Sequence, residues 1–331
     1  MRRLFLILLV ALLATTSFSV TSVPVQAQDD EAPLFVVVAH GGDKNPFWKV
    51  AVRGFMDGCE QLQVRCEWLS DPLDNIADMA SYWETALEMN PAGIATTVPD
   101  PELIRDVVTK ASELKIPVIS INTPDPNRKT DKALPMIDFY IGTDDYLAGV
   151  NNAKRVLAQS KADGVTIKNA VCPLQEQGHA GLMARCQGVK DVFEPEKIPV
   201  ETIDISYDVS ASAEAIVTYL DEKPETNAIF LLGPSVISSF SLVIEEKGLK
   251  PGEMYAVGHD TSTEAYQLIQ EGFLLQTVDQ QPYLQGYMAI IWLYQISQYG
   301  MLPGQDVLTG PSPIDLNNVE TVIELTAEGI R

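Results

Sequence analysis

The sequence predicts an α/β protein built as two doubly wound parallel-sheet lobes, and three observations predict it. Apolar runs rich in Val and Ile alternate with amphipathic stretches along the chain. The steps Asn45-Pro46, Asp71-Pro72 and Asp100-Pro101 stand where a run gives way to a helical pattern. Such alternation requires parallel sheets with helices on both faces. The number of apolar runs is too large for one small sheet, which makes two lobes meeting near residues 142–146 the natural division.

The elements follow in order. Strands are predicted at 34–39, 64–69, 92–97, 117–121 and 137–141, then 167–172, 200–205, 227–232, 254–258 and 273–278. Helical patterns lie between them at 46–62, 74–89, 101–114 and 145–160, then 180–193, 209–222, 235–247, 261–271 and 282–299. The 74–89 pattern shows its period plainly, because Ile76, Met79, Ala80, Trp83, Ala86 and Leu87 share one face. The Asp- and Pro-rich stretch 123–135 reads as a long polar connection.

The N-terminus reads as a leader. Met1-Arg2-Arg3 is basic, Leu4–Leu13 is apolar, and Val25-Gln26-Ala27 supplies small residues before Gln28. This is the pattern of a secretory signal peptide, residues 1–27, cleaved after Ala27. The apolar stretch is too short to span a bilayer, and no Cys follows it to carry a lipid. A soluble, periplasmic or otherwise secreted protein is expected.

Export changes how the four cysteines are read. Cys59 and Cys66 fall early and Cys172 and Cys186 late, so pairing within each lobe gives Cys59–Cys66 and Cys172–Cys186. An oxidising compartment permits both, while buried thiols are the other reading. Removing Arg2 and Arg3 takes the formal charge from −22 to −24. So acidic a surface disfavours nucleic acid and anionic membranes as partners.

Residues Val36–Trp48, VVVAHGGDKNPFW, carry the most chemistry. They read as a buried strand, a tight turn, and a helix with Pro at its first position. Open α/β sheets bind ligands at such carboxyl strand ends. Here the turn offers the amide of Asn45 followed at once by Phe47 and Trp48. Flat apolar rings beside a precise hydrogen-bonding group suit a sugar, whose C–H faces are apolar and whose rim is hydroxylated. Asn45 also suits a helix cap, and the two rings also suit a core.

No assembled catalytic or metal pattern appears. There is no GxSxG or HExxH, and the residues around Asp71–Asp78 lack the glycine and closing glutamate of a calcium loop. A binding protein rather than an enzyme is expected, with no cofactor and no metal.

From Phe35 to Ser312 the chain resembles periplasmic sugar-binding proteins of the ribose-binding type, the soluble receptors of ABC importers. The landmarks are Asn45-Pro46-Phe47-Trp48, Pro117-Val118-Ile119, Ile141-Gly142-Thr143-Asp144-Asp145 and Gly178–Gly188. Val257-Gly258-His259-Asp260 and Asp279-Gln280-Gln281-Pro282 complete them. The resemblance implies a type I fold with a three-crossing hinge and ligand bound between the lobes. It implies an N-terminal lobe of 34–144 and 282–309 and a C-terminal lobe of 145–281 and 310–328.

It also implies ligand contacts at Asn45, Phe47 and Trp48 in the first lobe, and at Arg185, Tyr207 and Asp260 in the second, with Gln280 at the hinge. The chemistry agrees, since hydroxyls donate to carboxylates and accept from guanidinium. The sequence departs from the family pattern at three places. Asn122 and Thr123 replace an Asp-Arg pair, Gly233-Pro234 replaces an asparagine, and His259 replaces an aromatic, so Asn122, Thr123, Gly233 and His259 are expected among the ligand contacts too. A monosaccharide or sugar alcohol is therefore expected, with room near Gly233 for something bulkier than a pentose. The expected partner is an ABC permease and the expected form a monomer. A signalling receptor of the same fold for an autoinducer-like or nucleoside ligand is the alternative.

Overall fold

The computed structural model describes residues 32–42, 45–71 and 75–331; the expected leader, Asp43 and Asp74 lie outside them. The first sheet is parallel throughout, in the order β11-β5-β4-β3-β1-β2. Its strands are β1 (Leu34–Val38), β2 (Arg65–Leu69), β3 (Gly93–Thr96), β4 (Val118–Ile121), β5 (Tyr140–Thr143) and β11 (Val307–Gly310). β1 is buried at every residue because both faces are covered, whereas edge strand β2 is half-exposed.

One face is covered by α1 (Pro46–Leu62) and α9 (Pro282–Tyr299), through Trp48, Phe55, Ile290 and Leu293. The other is covered by α2 (Met79–Glu88) and α3 (Pro101–Glu113), through Trp83, Leu87, Ile104 and Val108. The second sheet is the parallel set β7-β6-β8-β9, from β6 (Asn169–Leu174), β7 (Val200–Asp204), β8 (Thr226–Leu231) and β9 (Tyr255–Gly258). α4 (Asp145–Ala162) and α5 (Ala180–Phe193) lie on one face. α6 (Val209–Glu222), α7 (Pro234–Lys247), α8 (Thr263–Gln270) and α10 (Val319–Ala327) lie on the other.

Beside this sheet, β10 (Thr277–Asp279) pairs antiparallel with β12 (Ser312–Ile314). The chain passes between the halves three times, after β5, after β10 and after β11. Each sheet has its switch point at the strand where the order reverses, β1 in the first and β6 in the second. The crevices outside the carboxyl ends of those strands face each other across the cleft described below.

Several elements differ from expectation for local reasons. The 74–89 helix is shorter: Asn75 accepts from Ala77 N and opens a 3-10 turn (Ile76–Asp78) before α2 begins. The 137–141 strand starts late because Phe139 N bonds back to Ile137 O, and the ladder begins at Tyr140. Of the predicted 273–278 strand, Leu274 makes only an isolated bridge to Ala256, and pairing is regular at β10. β11, β12 and α10 are additional to the predicted elements.

The disulfide Cys59–Cys66 is formed and ties the end of α1 to β2. The expected second bond is not: Cys172 and Cys186 are free and buried. They sit in the apolar layer between β6 and α5, where burial pushes the Cys172 thiol up, while the hydrogen bond from Cys172 lowers that of Cys186. A thiol raised as that of Cys172 is makes a poor nucleophile for disulfide exchange. Among the described residues no helix is long and apolar enough to cross a membrane.

Candidate functional site

A cleft of about 400 Å³ lies between the halves. Its first wall is the turn after β1. Asn45 accepts from Phe47 N at 3.0 Å, which caps α1, and its side chain also lines the cleft. Capping and lining are thus performed by one amide. Trp48 packs edge-on to Phe47 and to His40, with ring centroids 4.9 Å apart in each case. A Cβ on Gly41 would lie 1.9 Å from the Trp48 indole, so the ring requires glycine there. Trp48 is nearly buried and Phe47 half-buried, and both line the cleft.

Asn122 closes the floor from the end of β4. Its amide donates to Gln285 Oε1 at 3.2 Å and accepts from the Thr123 hydroxyl at 2.9 Å. Thr123 does not line the cleft; its hydroxyl positions Asn122 from behind.

The second wall centres on Arg185 of α5. Its Nε donates to Asp145 at 2.7 Å and its Nη1 to the Leu232 carbonyl at 2.6 Å, all in a buried setting. Burial raises the Asp145 carboxyl despite the guanidinium beside it. Two further residues come from the connection between β6 and α5. Gln175 lines the cleft beside Gly233, and His179 caps α5 by accepting from Gly181 N and Leu182 N at Nδ1. With Nδ1 an acceptor, the imidazole is neutral and its proton is on Nε2. Burial, and then the Arg185 charge, lower His179 to about 4. His40, held by Thr97 Oγ1 at 2.9 Å, is also lowered, chiefly by burial. The two rings, one from each half, stand 5.4 Å apart.

Asp260 follows β9 with φ of 74°, an αL-type position that Asp tolerates better than most residues. Its Oδ1 accepts from Gln280 Nε2 at 2.6 Å. Burial pushes its carboxyl up to about 6, with Arg185 and Gln280 opposing. Gln280 is fixed in turn through its backbone carbonyl, which accepts from Thr309 Oγ1 and Gln285 Nε2. His259 is buried beside Asp260, its Nε2 4.0 Å from Asp260 Oδ1, and does not line the cleft. Tyr207 stands half-exposed at the rim with its hydroxyl on Glu176.

Of the sequence-predicted residues, Asn45, Phe47, Trp48, Asn122, Arg185, Tyr207, Gly233, Asp260 and Gln280 thus meet in one cleft. Thr123 and His259 stand outside it. His40, Gln175 and His179 were not predicted, although each lies just past the carboxyl end of a switch-point strand, a signal the strand order alone provides. Among the described residues no cluster of His, Cys, Asp and Glu is arranged to hold a metal.

Comparison with known proteins agrees with this architecture. Residues 35–300 match the family model described as periplasmic binding protein domain. The xylose/arabinose-binding protein XylF of Sulfolobus acidocaldarius is 27% identical over 286 residues, spanning 83% of this chain and 69% of its own. A periplasmic sugar-binding protein of an ABC sugar transporter from Legionella pneumophila is 26% identical, with a TM-score of 0.75, covering 84% of this chain and 99% of that one. A carbohydrate transporter protein from Acidothermus cellulolyticus, solved with myo-inositol, shares the fold at 24% identity and a TM-score of 0.78, covering 91% and 100%.

Proposed function

Because the chain belongs to the family of periplasmic binding protein domains, we propose that it captures a monosaccharide or sugar alcohol in this cleft and delivers it to an ABC-type permease. The observation that carries the reading is the pairing of walls. Aromatic rings and an amide come from one half, and a guanidinium, a carboxylate and neutral imidazole from the other, around a volume suited to one sugar. Ring faces take the apolar C–H side of a pyranose or furanose, while Asp260 accepts from hydroxyls and Arg185 donates to ring or hydroxyl oxygens.

The lobes are proposed as 34–144 with 282–309, and 145–281 with 310–328, moving about the three crossings. Contacts from both walls are complete only when the lobes approach, so a ligand favours closure by its greater affinity for the closed form. The closed pair of faces is then what a permease reads. One chain supplies both walls, which supports action as a monomer, and the leader pattern of residues 1–27 supports action outside the cytoplasm after cleavage near Ala27.

The test is a thermal-shift screen of the protein lacking residues 1–27. D-Xylose, D-arabinose, D-ribose, D-glucose, D-galactose and myo-inositol are the probes, followed by calorimetry. Ligand at a hundredfold excess over Kd adds about 2.7 kcal/mol of stability, and one sugar should bind at 1:1 and be recovered unchanged. No stabilisation by any probe, or recovery of a chemically altered sugar, overturns the reading.

A further inference from the structure

The backbone at Gly233, where α7 begins, bears on how the second wall reads its ligand. A Cβ built there would stand 2.6 Å from Gln175 Nε2, closer than packed atoms approach. The space that a side chain at 233 would occupy is therefore held by an amide from another segment, the connection that follows β6. The room expected near Gly233 for a bulkier ligand is in fact filled. Gln175 is about nine-tenths buried, lines the cleft, and has its Oε1 buried with no hydrogen-bond partner in the protein. Buried amide oxygens are ordinarily bonded, and exceptions call for a reason.

We propose that Gln175 is a specificity-determining residue, its amide hydrogen-bonding a ligand hydroxyl on the Gly233 side of the cleft, and that glycine at 233 is what admits it. The inference rests on the sugar-binding reading above. A hydroxyl both donates and accepts, so it meets whichever end of the amide turns to the cleft. A carboxylate could use only the Nε2 end. The neighbours agree: Leu232 and Pro234 flank the position with apolar groups, and the Leu232 carbonyl is engaged by Arg185. Gln175 and Ser235 are thus the polar residues that line this part of the wall, and Gln175 is the one whose amide stands against Gly233.

A double-mutant cycle tests it, with calorimetry against the sugar that binds best in the panel. Gln175→Ala should weaken binding about three- to tenfold, the range of one neutral hydrogen bond. Gly233→Ala should weaken it as well, by displacing the amide. In the Gln175→Ala background Gly233→Ala should add little, because no amide remains to displace. One deoxy analogue of the sugar should lose affinity for the wild type and lose none for Gln175→Ala. Gln175→Asn, which keeps an amide on a shorter arm, serves as a second variant should the alanine variant fail to fold, and circular dichroism checks every variant.

Unchanged affinity in Gln175→Ala, or an equal effect of Gly233→Ala in both backgrounds, overturns the proposal while leaving the sugar reading intact. Failure of the wild type to bind any probe overturns the sugar reading first, and the proposal with it.

Discussion

Asp260→Asn should make the empty protein more stable and the binding protein worse. In the folded chain the Asp260 carboxyl is pushed from 3.8 to about 6 by burial. At about 1.4 kcal/mol per pH unit, that difference corresponds to about 3 kcal/mol by which the charged form is disfavoured at neutral pH. Asparagine removes the charge and keeps an oxygen for the 2.6 Å bond from Gln280 Nε2. The variant should therefore gain up to about 3 kcal/mol at pH 8, and its melting midpoint should rise by several degrees at roughly 2 °C per kcal/mol.

The sign reverses the usual expectation for a carboxylate. Because the folded value is raised, the folded chain binds the proton more readily than the unfolded chain between pH 3.8 and about 6. The variant's advantage is thus full above pH 6 and fades as the pH falls to 3.8. His40, His179 and His259 are all lowered by burial and weaken the fold as the pH falls below 6.5, so the difference between variant and wild type isolates the carboxyl.

Binding moves the other way. Ligand hydroxyls donate to the carboxylate, and hydrogen bonds to a charged group are worth about 1.5–3 kcal/mol. Asp260→Asn should weaken the sugar roughly 10- to 150-fold at pH 8. Wild-type affinity should drop below pH 6, and the variant's should not. Scanning calorimetry and titration calorimetry from pH 4 to 8 read both quantities. A variant no more stable than the wild type at pH 8, or one with unchanged affinity, refutes the assignment of Asp260 as a buried charge kept for the ligand.

Two further outcomes are expected. Peptide mass spectrometry without reductant should find Cys59 linked to Cys66, with Cys172 and Cys186 alkylated only after unfolding; losing the first bond by Cys59→Ser/Cys66→Ser should lower stability by about 2–3 kcal/mol. Gly41→Ala should drive the Trp48 indole out of place, costing about 1–3 kcal/mol by overpacking and weakening the sugar; an unchanged tryptophan emission and affinity would contradict the close approach.

Where local chemistry and tertiary packing agree, the sequence was legible to the residue. The bounds expected for 46–62, 180–193 and 209–222 coincide with α1, α5 and α6. Each has a capping side chain at its start, from Asn45, His179 and Asp208 respectively. α9 also coincides, between Pro282 and the left-handed Gly300. The segment 307–314 was not legible because nothing local makes it a strand. Gly310-Pro311 and Pro313 interrupt it, and it becomes β11 and β12 only by pairing with β5 and β10. The loss of the predicted Cys172–Cys186 bond has the same origin: spacing along the chain cannot tell a bond from two thiols held in an apolar layer.

The cleft shows which site residues a sequence can reveal. Asn45, Phe47 and Trp48 stand together in one turn, and a single strand-turn-helix pattern exposes them. Gln175 and His179 meet that turn only because the second half faces the first, so no local pattern marks them. Most polar groups of the walls are also tied within the protein: Asn122 to Gln285, Arg185 to Asp145, Gln280 to Asp260 and His179 to its own helix. Such ties fix each group before ligand arrives, which lowers the ordering penalty of binding. What remains for the ligand to change is the distance between the halves. His40 and His179, 5.4 Å apart on opposite walls, measure that distance, and their neutrality matters to it. Two imidazolium charges there, beside Arg185, would push the halves apart just where contacts from both must close on one sugar.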